Sequence, residues 1–255
     1  MEEIIRAEVA PGTLAVHWLG QNSFVFKGAS GKLVGLDLYL SRERDLSNFV
    51  HPEPPVSPDQ MPLDYVFCTH DHGDHTDPHT LPIIAEHSPK ALFLGTPEAQ
   101  EHCLRMGIAP ERTRGLQVGE TVELEGLTVK AFRSPVPEGT SHYGYLFDFD
   151  GITVYNMGDS GPEGIENPDA FLAPVAAEGP EIGMFPVIGD YAGRSPDHAL
   201  TFGQAAGVKA VIPTHYSCFR SRTIEPAEFL AVFEGEEEIV PVAVPYNEMY
   251  VYSGA

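Results

Sequence analysis

Asp64-Tyr65-Val66-Phe67-Cys68-Thr69-His70-Asp71-His72-Gly73-Asp74-His75 is the stretch that decides the fold. Residues 64–69 are apolar or β-prone and predict a short buried strand. The strand runs straight into three imidazoles and two carboxylates packed into six residues, His70 to His75. Alternate residues of an extended chain project to one side, so His70 and His72 can converge on one ion. Past the flexible Gly73, Asp74 and His75 can turn to face a second. Imidazole and carboxylate oxygen suit zinc, manganese or iron(II), and the lack of cysteine in the cluster argues against a finger-type structural zinc site.

Working outward, short strand patterns recur. Leu14–Leu19 and Ser23–Lys27 flank Gly20-Gln21-Asn22 as a hairpin, and Lys32–Leu38 reads as a third strand. Ser41–Leu63 is polar and carries Pro52, Pro54, Pro55, Pro58 and Pro62, which predicts a long irregular loop of the kind that lines sites. Pro78–His87 and Thr96–Met106 have helical spacing around a strand at Ala91–Leu94. Residues 113–155 read as consecutive strands with turns, Asp150-Gly151 among them. Thereafter helices at Pro168–Ala177, Pro196–Ala206 and Glu225–Phe233 alternate with strands at Ile182–Val187, Lys209–Pro213, Ile239–Val244 and Glu248–Tyr252. Strand–helix alternation at both ends and a strand-rich middle predict two β-sheets with helices outside, an α/β (α+β) chain in one domain over residues 1–255.

Composition narrows the partners. Acidic residues outnumber basic ones 37 to 15, a formal charge of −22, and no Lys/Arg cluster is present. Such a surface repels phosphate backbones and anionic lipid, which disfavours nucleic acid and membrane as partners and leaves a small-molecule substrate. Three widely spaced cysteines, Cys68, Cys103 and Cys218, form no disulfide framework. With no apolar run of membrane-spanning length and no signal-peptide pattern, they predict a cytoplasmic protein. Strand edges or helix faces offer surfaces for a homo-oligomer, with no subunit number implied.

His70-x-His72-x-Asp74-His75 after a hydrophobic strand resembles the signature of the metallo-β-lactamase fold superfamily. That resemblance implies a four-layer αββα sandwich and three further ligands at strand ends: a middle His, an Asp and a final His. The matching positions here are His142 in Ser141-His142-Tyr143-Gly144-Tyr145, Asp159 in Asn156-Met157-Gly158-Asp159-Ser160, and His215 in Pro213-Thr214-His215-Tyr216. The stretch Glu8–Gly20, Thr69–His75, Tyr145-Leu146-Phe147, Gly158-Asp159-Ser160 and Val211-Ile212-Pro213 look like pieces of the L-ascorbate-6-phosphate lactonase family.

The resemblance implies two divalent metal ions, zinc or manganese, with iron as a further option. His70, His72 and His142 would hold the first and Asp74, His75 and His215 the second, with Asp159 bridging. A hydroxide formed from water between the ions would attack a carbonyl carbon or a phosphorus, with Asp74 or Asp159 orienting the nucleophile or carrying a proton. The implied activity is hydrolysis of a small ester, lactone or phosphoester, a sugar-phosphate lactone included. Arg194, Arg220 and Arg222 are expected to bind a substrate anion, and Tyr191 and Tyr216 to wall the pocket. Two other functions fit the motif: a mononuclear iron persulfide dioxygenase, and a metal-binding protein without activity. A flavin-linked di-iron enzyme does not, because that branch carries Glu where this chain has His72.

Overall fold

The computed structural model describes residues 1–42, 45–136, 141–189 and 193–254. Fourteen strands form two seven-stranded sheets among the described residues. The first contains β1 (Leu14–Trp18), β2 (Phe24–Lys27), β3 (Leu33–Leu36), β4 (Tyr65–Cys68), β5 (Leu92–Gly95), β6 (Thr113–Gly115) and, at its far edge beside β1, β14 (Met249–Tyr252). The second orders β13 (Val240–Pro241), β12 (Ala210–Thr214), β11 (Ile182–Pro186), β10 (Ile152–Asn156), β9 (Tyr143–Phe149), β8 (Leu127–Arg133) and β7 (Thr121–Leu124).

The two-residue period of a strand explains why the sheets stack. Leu14, Val16, Trp18, Phe24, Phe26, Tyr65 and Phe67 point into a core shared with Val129, Tyr145, Phe147, Val154 and Ile212 of the second sheet. Their neighbours Ala15, Val25, Val66 and Cys68 face the other way, against α1 (Glu2–Arg6), α2 (Leu81–His87) and α3 (Pro97–Arg105). On the outer face of the second sheet, Tyr155, Phe185 and Val211 pack under α5 (Pro168–Ala176), α6 (Pro196–Ala206) and α7 (Pro226–Ala231). The result is the expected αββα order of layers. A short α4 (Pro162–Glu166) precedes α5.

Local chemistry sets the boundaries. Thr96 caps α3 by accepting from Ala99 N–H, with Pro97 in the first turn. Ser195 and His198 form a reciprocal cap on α6, which gives His198 a structural role, and Gly207 at φ 69 ends that helix. The described residues of 41–63 (41–42 and 45–63) are irregular as expected, apart from 3-10 turns at Leu46–Asn48 and Pro58–Gln60.

Strand direction then positions the site. β3 through β6 run parallel, as do β10 through β13. Their carboxyl ends lie where ligands bind in open α/β sheets. β3 delivers Asp37 there, β4 delivers His70, β10 leads to Asp159 and β12 to His215. Because β9 pairs antiparallel with β10, its opening residue, next to His142, reaches the same edge.

Candidate metal centre

Ligand atoms of His70, His72 and His142 lie within 4.8 Å of one another, and so do those of His70, His75 and Asp159. His70 Nε2 stands 2.9 Å from His72 Nδ1, and the His70 and His142 rings stack with centroids 3.8 Å apart. Asp159 sits at the centre. One carboxylate oxygen lies 3.7 Å from His75 Nε2 and 2.9 Å from His215 Nε2, and the other lies 3.9 Å from His70 Nε2. All of these side chains are buried except His72.

Gly158 makes the Asp159 position accessible. Its φ of +69 and the approach of Tyr143 O at 2.9 Å and Thr69 Cβ at 3.1 Å to where a Cβ would stand leave room only for glycine. Three non-glycine residues of the site, Asp37, Gln21 and His215, also have positive φ, of 45, 53 and 69. Such backbone strain concentrates at functional sites.

A buried hydrogen-bond network aims the rings. Asp37 Oδ2 accepts from Thr69 Oγ1 at 2.6 Å, Asn22 Nδ2 at 2.7 Å and His75 Nδ1 at 2.6 Å, and its Oδ1 accepts from Thr69 N at 2.7 Å. Since the Thr69 hydroxyl donates to Asp37, its lone pairs accept from His70 Nδ1, 3.0 Å away. Thr214 Oγ1 holds His215 Nδ1 at 2.8 Å. The Nδ1 atoms of His70, His75 and His215 are thereby engaged and their Nε2 atoms are turned toward Asp159, the arrangement in which outer partners fix histidine ligands of a metal.

The electrostatics match a cation seat. Burial and the neighbouring His75 hold the His70 pKa well below the usual imidazole range. Burial lowers His142 to about 4 and also lowers His215. Burial opposes the charge of Asp159, but the bond and charge of His215, then His75 and His70, hold its carboxyl well below the carboxylate range. Burial likewise opposes charge on His75, yet Asp37, Asp74 and Asp159 raise it to about 9. Neutral His70, His142 and His215 around an ionised Asp159 are in the donor state a divalent ion requires, and His75 must give up a proton to join them. Among the described residues, His142 Nδ1 is buried with no hydrogen-bond partner, and Asp159 Oδ1 and His215 Nε2, buried 2.9 Å apart, have only each other. Orphaned atoms of this kind call for a ligand, so the residues fit a metal.

A cavity opens over this floor. Gln21, His72, Asp74, Asp159 and His215 line its base, while Arg194, Arg222, Ile188 and Phe219 form its walls. Arg194 donates to Asp159 Oδ2 at 3.0 Å and to Ser160 O at 2.8 Å. Phe219 packs on Phe49, and Val50 N–H donates to Cys218 O, which ties the proline-rich loop to the cavity wall.

Not every expected residue is there. Arg220 is exposed and does not line the cavity. It lies two residues from Arg222 in the 3-10 turn Arg220–Arg222, where a step of about 120° per residue sends the two side chains apart. Tyr216 also stands off the cavity. The positive φ of His215 reverses the chain, and the Tyr216 ring stacks on Trp18 at 4.2 Å with its hydroxyl donating to Val244 O. Tyr191 lies outside the described residues. Conversely, no motif in the sequence singles out Asp37 or Gln21. The signal for Asp37 is a carboxylate inside the apolar run Leu33–Leu40, a position tolerable only when fully paired. Asp71 points away from the centre, to His102 Nδ1 at 2.6 Å.

This fold and cluster define the metallo-β-lactamase class. The family model described as the Beta-lactamase superfamily domain matches residues 37–216, and the chain belongs to that family. A UPF0173 metal-dependent hydrolase of Myxococcus xanthus is 26% identical over 236 residues, covering 84% of this chain and 74% of the relative. A probable L-ascorbate-6-phosphate lactonase, UlaG, of Escherichia coli is 23% identical over 289 residues, covering 93% and 79%. The solved structure of Igni18, a metallo hydrolase from Ignicoccus hospitalis, superposes with a TM-score of 0.71 at 20% identity, covering 94% of this chain and 98% of that one. Within the superfamily the chain stands with the metal-dependent hydrolases. No helix among the described residues is long and apolar enough to cross a membrane.

Proposed function

We propose that the protein hydrolyses a small anionic ester, lactone or phosphoester, using divalent cations held by His70, His72, His142, His75, Asp74, His215 and Asp159. The observation that carries this reading is the set of buried ligand atoms on Asp159, His215 and His142 that nothing outside the cluster satisfies, beneath a cavity with Arg194 and Arg222 on its wall. When bound, zinc or manganese supplies Lewis-acid polarisation of the electrophile and a lowered pKa for water.

The chain's own groups do the rest. Arg222 and Arg194 bind the anionic portion of the substrate, the preferred role of a planar guanidinium. Phe219 and Ile188 exclude water around the reacting bond. Asp74, on the cavity floor and bonded to Gln21 Nε2 at 3.1 Å, orients the attacking water and takes its proton. A sugar-phosphate lactone satisfies the anion and ester requirements together, and the lactonase relative supports that choice. Three free, buried cysteines accord with a reducing cytoplasmic setting.

The test is a screen of lactones, carboxylic esters and phosphoesters with the manganese- or zinc-loaded protein. The reading predicts turnover of an anionic member, lost in His70→Ala. It also predicts KM raised about tenfold or more in Arg222→Ala, as expected for a lost charged contact. Absence of turnover across the panel by fully loaded protein contradicts it.

A further inference from the structure

α3 stands on the outer side of the first sheet, fixed by its Thr96 cap and by Ala99 and Cys103, which are buried against that sheet. Glu98, His102 and Arg105 follow one another at i, i+4 and i+7, so they share one stripe of the helix. His102 Nδ1 donates to Asp71 Oδ1 at 2.6 Å, and Arg105 Nη2 lies 3.7 Å from Asp71 Oδ2. Glu98 Oε1 accepts from Ser141 Oγ at 2.9 Å. Asp71 stands between His70 and His72, and Ser141 precedes His142. One helix stripe therefore grips a chain neighbour of every ring in the three-histidine group, although those rings come from both sheets.

The rings of that group differ in how they are held. Thr69, Asp37 and Thr214 engage the Nδ1 atoms of His70, His75 and His215. Among the described residues, no group outside the cluster is bonded to the ring of His72 or of His142. Their aim is set by the backbone that carries them. His75 N–H and Thr76 N–H both donate to His72 O, and Ser134 N–H donates to His142 O. α3 adds the side-chain restraints, through Asp71 and Ser141.

We infer that His102 is a positioning residue for the cation seat of His70, His72 and His142, acting through Asp71, with Arg105 and Glu98 in support. This rests on the proposal that those histidines hold a divalent cation. A loop that becomes ordered only as the ion arrives loses conformational freedom at that moment, and affinity falls accordingly. An Asp71 carboxylate held by α3 orders the His70–His72 segment beforehand. The His102 bond is short and made to a charged acceptor, so it dominates the grip. Arg105 and Glu98 are exposed, and their contacts contribute less. Without the His102 N–H, Asp71 keeps only the longer approach of Arg105, and the segment between the two ligands loosens.

The test is titration of metal-stripped, full-length protein with Co²⁺ in competition with a chromophoric chelator, with no turnover required. His102→Leu should weaken one step of the titration about tenfold, the lower end of the scale on which outer partners tune metal affinity. His102→Asn, whose amide nitrogen can stand where Nδ1 stood, should stay within about twofold of the wild type. In a His72→Ala background the same His102→Leu change should add less than about twofold at any remaining step, because the seat it serves is already broken. A cooperative urea transition in the metal-free state shows that each variant is folded. The inference is overturned if every step of His102→Leu lies within about twofold of wild type, or if His102→Asn binds as weakly as His102→Leu. An undiminished tenfold loss in the His72→Ala background overturns it as well. Wild-type protein that binds no Co²⁺ is a different result, and refutes the proposed function instead.

Discussion

Asp37→Asn removes one charge and almost no volume, and the structure predicts a large effect. Asp37 is fully buried and its two oxygens take four donors, three of them on Oδ2. An asparagine keeps one carbonyl oxygen. If that oxygen takes the Oδ2 position, the amide N–H₂ confronts Thr69 N–H. In the opposite orientation it confronts Thr69 Oγ1, Asn22 and His75 together. The first orientation costs least and still orphans one buried donor, worth about 1–3 kcal/mol, while three charge-assisted bonds weaken to neutral ones. A stability loss of about 3 kcal/mol follows. His75 keeps a partner for Nδ1 but loses the charge that makes Nε2 a strong donor. Metal affinity should fall 10- to 100-fold, equivalent to about 1.4–2.8 kcal/mol. Urea unfolding of the metal-free protein reads the first number, and competition with a chromophoric chelator reads the second. A folded Asp37→Asn protein whose metal affinity stays within about twofold of wild type would refute the claim that Asp37 orients the centre.

Further outcomes follow from the same geometry. Gly158→Ala forces a Cβ against Tyr143 O and Thr69 at φ +69, so thermal unfolding should show a loss of about 1–3 kcal/mol and metal binding should weaken with it. Tyr216→Phe deletes the bond to Val244 O and should cost about 1 kcal/mol in a urea melt with KM unchanged, because the ring is not on the cavity. Arg220→Ala should leave KM unchanged where Arg222→Ala raises it, a contrast that steady-state kinetics on any verified substrate will read. The metal-stripped protein should be most stable near pH 6.5. His75, raised to about 9, contributes stability that is complete below the unfolded imidazole pKa of about 6.5 and is lost as pH rises toward 9. His142, lowered to about 4, destabilises as pH falls from 6.5 toward 4, because only the unfolded chain takes up its proton. Melting temperatures that rise steadily from pH 5 to 9 would contradict this assignment.

Much of the architecture is legible in the sequence because strands such as β1 to β4, β11 and β12 are buried throughout and β7 alternates, with prolines and glycines near many ends. The exceptions have physical reasons. α1 is five residues with no side-chain cap, and α4 is five residues with Gly164 inside, so neither carries a periodic signal. The apolar run 239–244 forms a strand only at Val240–Pro241; Val240 and Val242 donate to Lys209 O and Val211 O, and Pro241, with no N–H, sits on the edge strand, where none is needed. At the centre, His70, His72, Asp74 and His75 are visible as one spaced motif. His142, Asp159 and His215 are legible only through family likeness, since 67 or more residues separate them from His75 along the chain. Asp37 and Gln21 escape both routes. Each is a single polar residue whose partners are set by tertiary packing and a positive φ, which no local pattern encodes.

The central claim is that His70, His72, His142 and Asp159 hold a divalent cation at the strand ends. Its most direct test is metal content per chain, by mass spectrometry, on tag-free wild type and His70→Ala after equal exposure to zinc and manganese. The account predicts about one or two equivalents in the wild type and near none retained on these ligands in the variant. Wild-type protein that holds no metal after reconstitution, or a folded His70→Ala that holds as much as wild type, would contradict it.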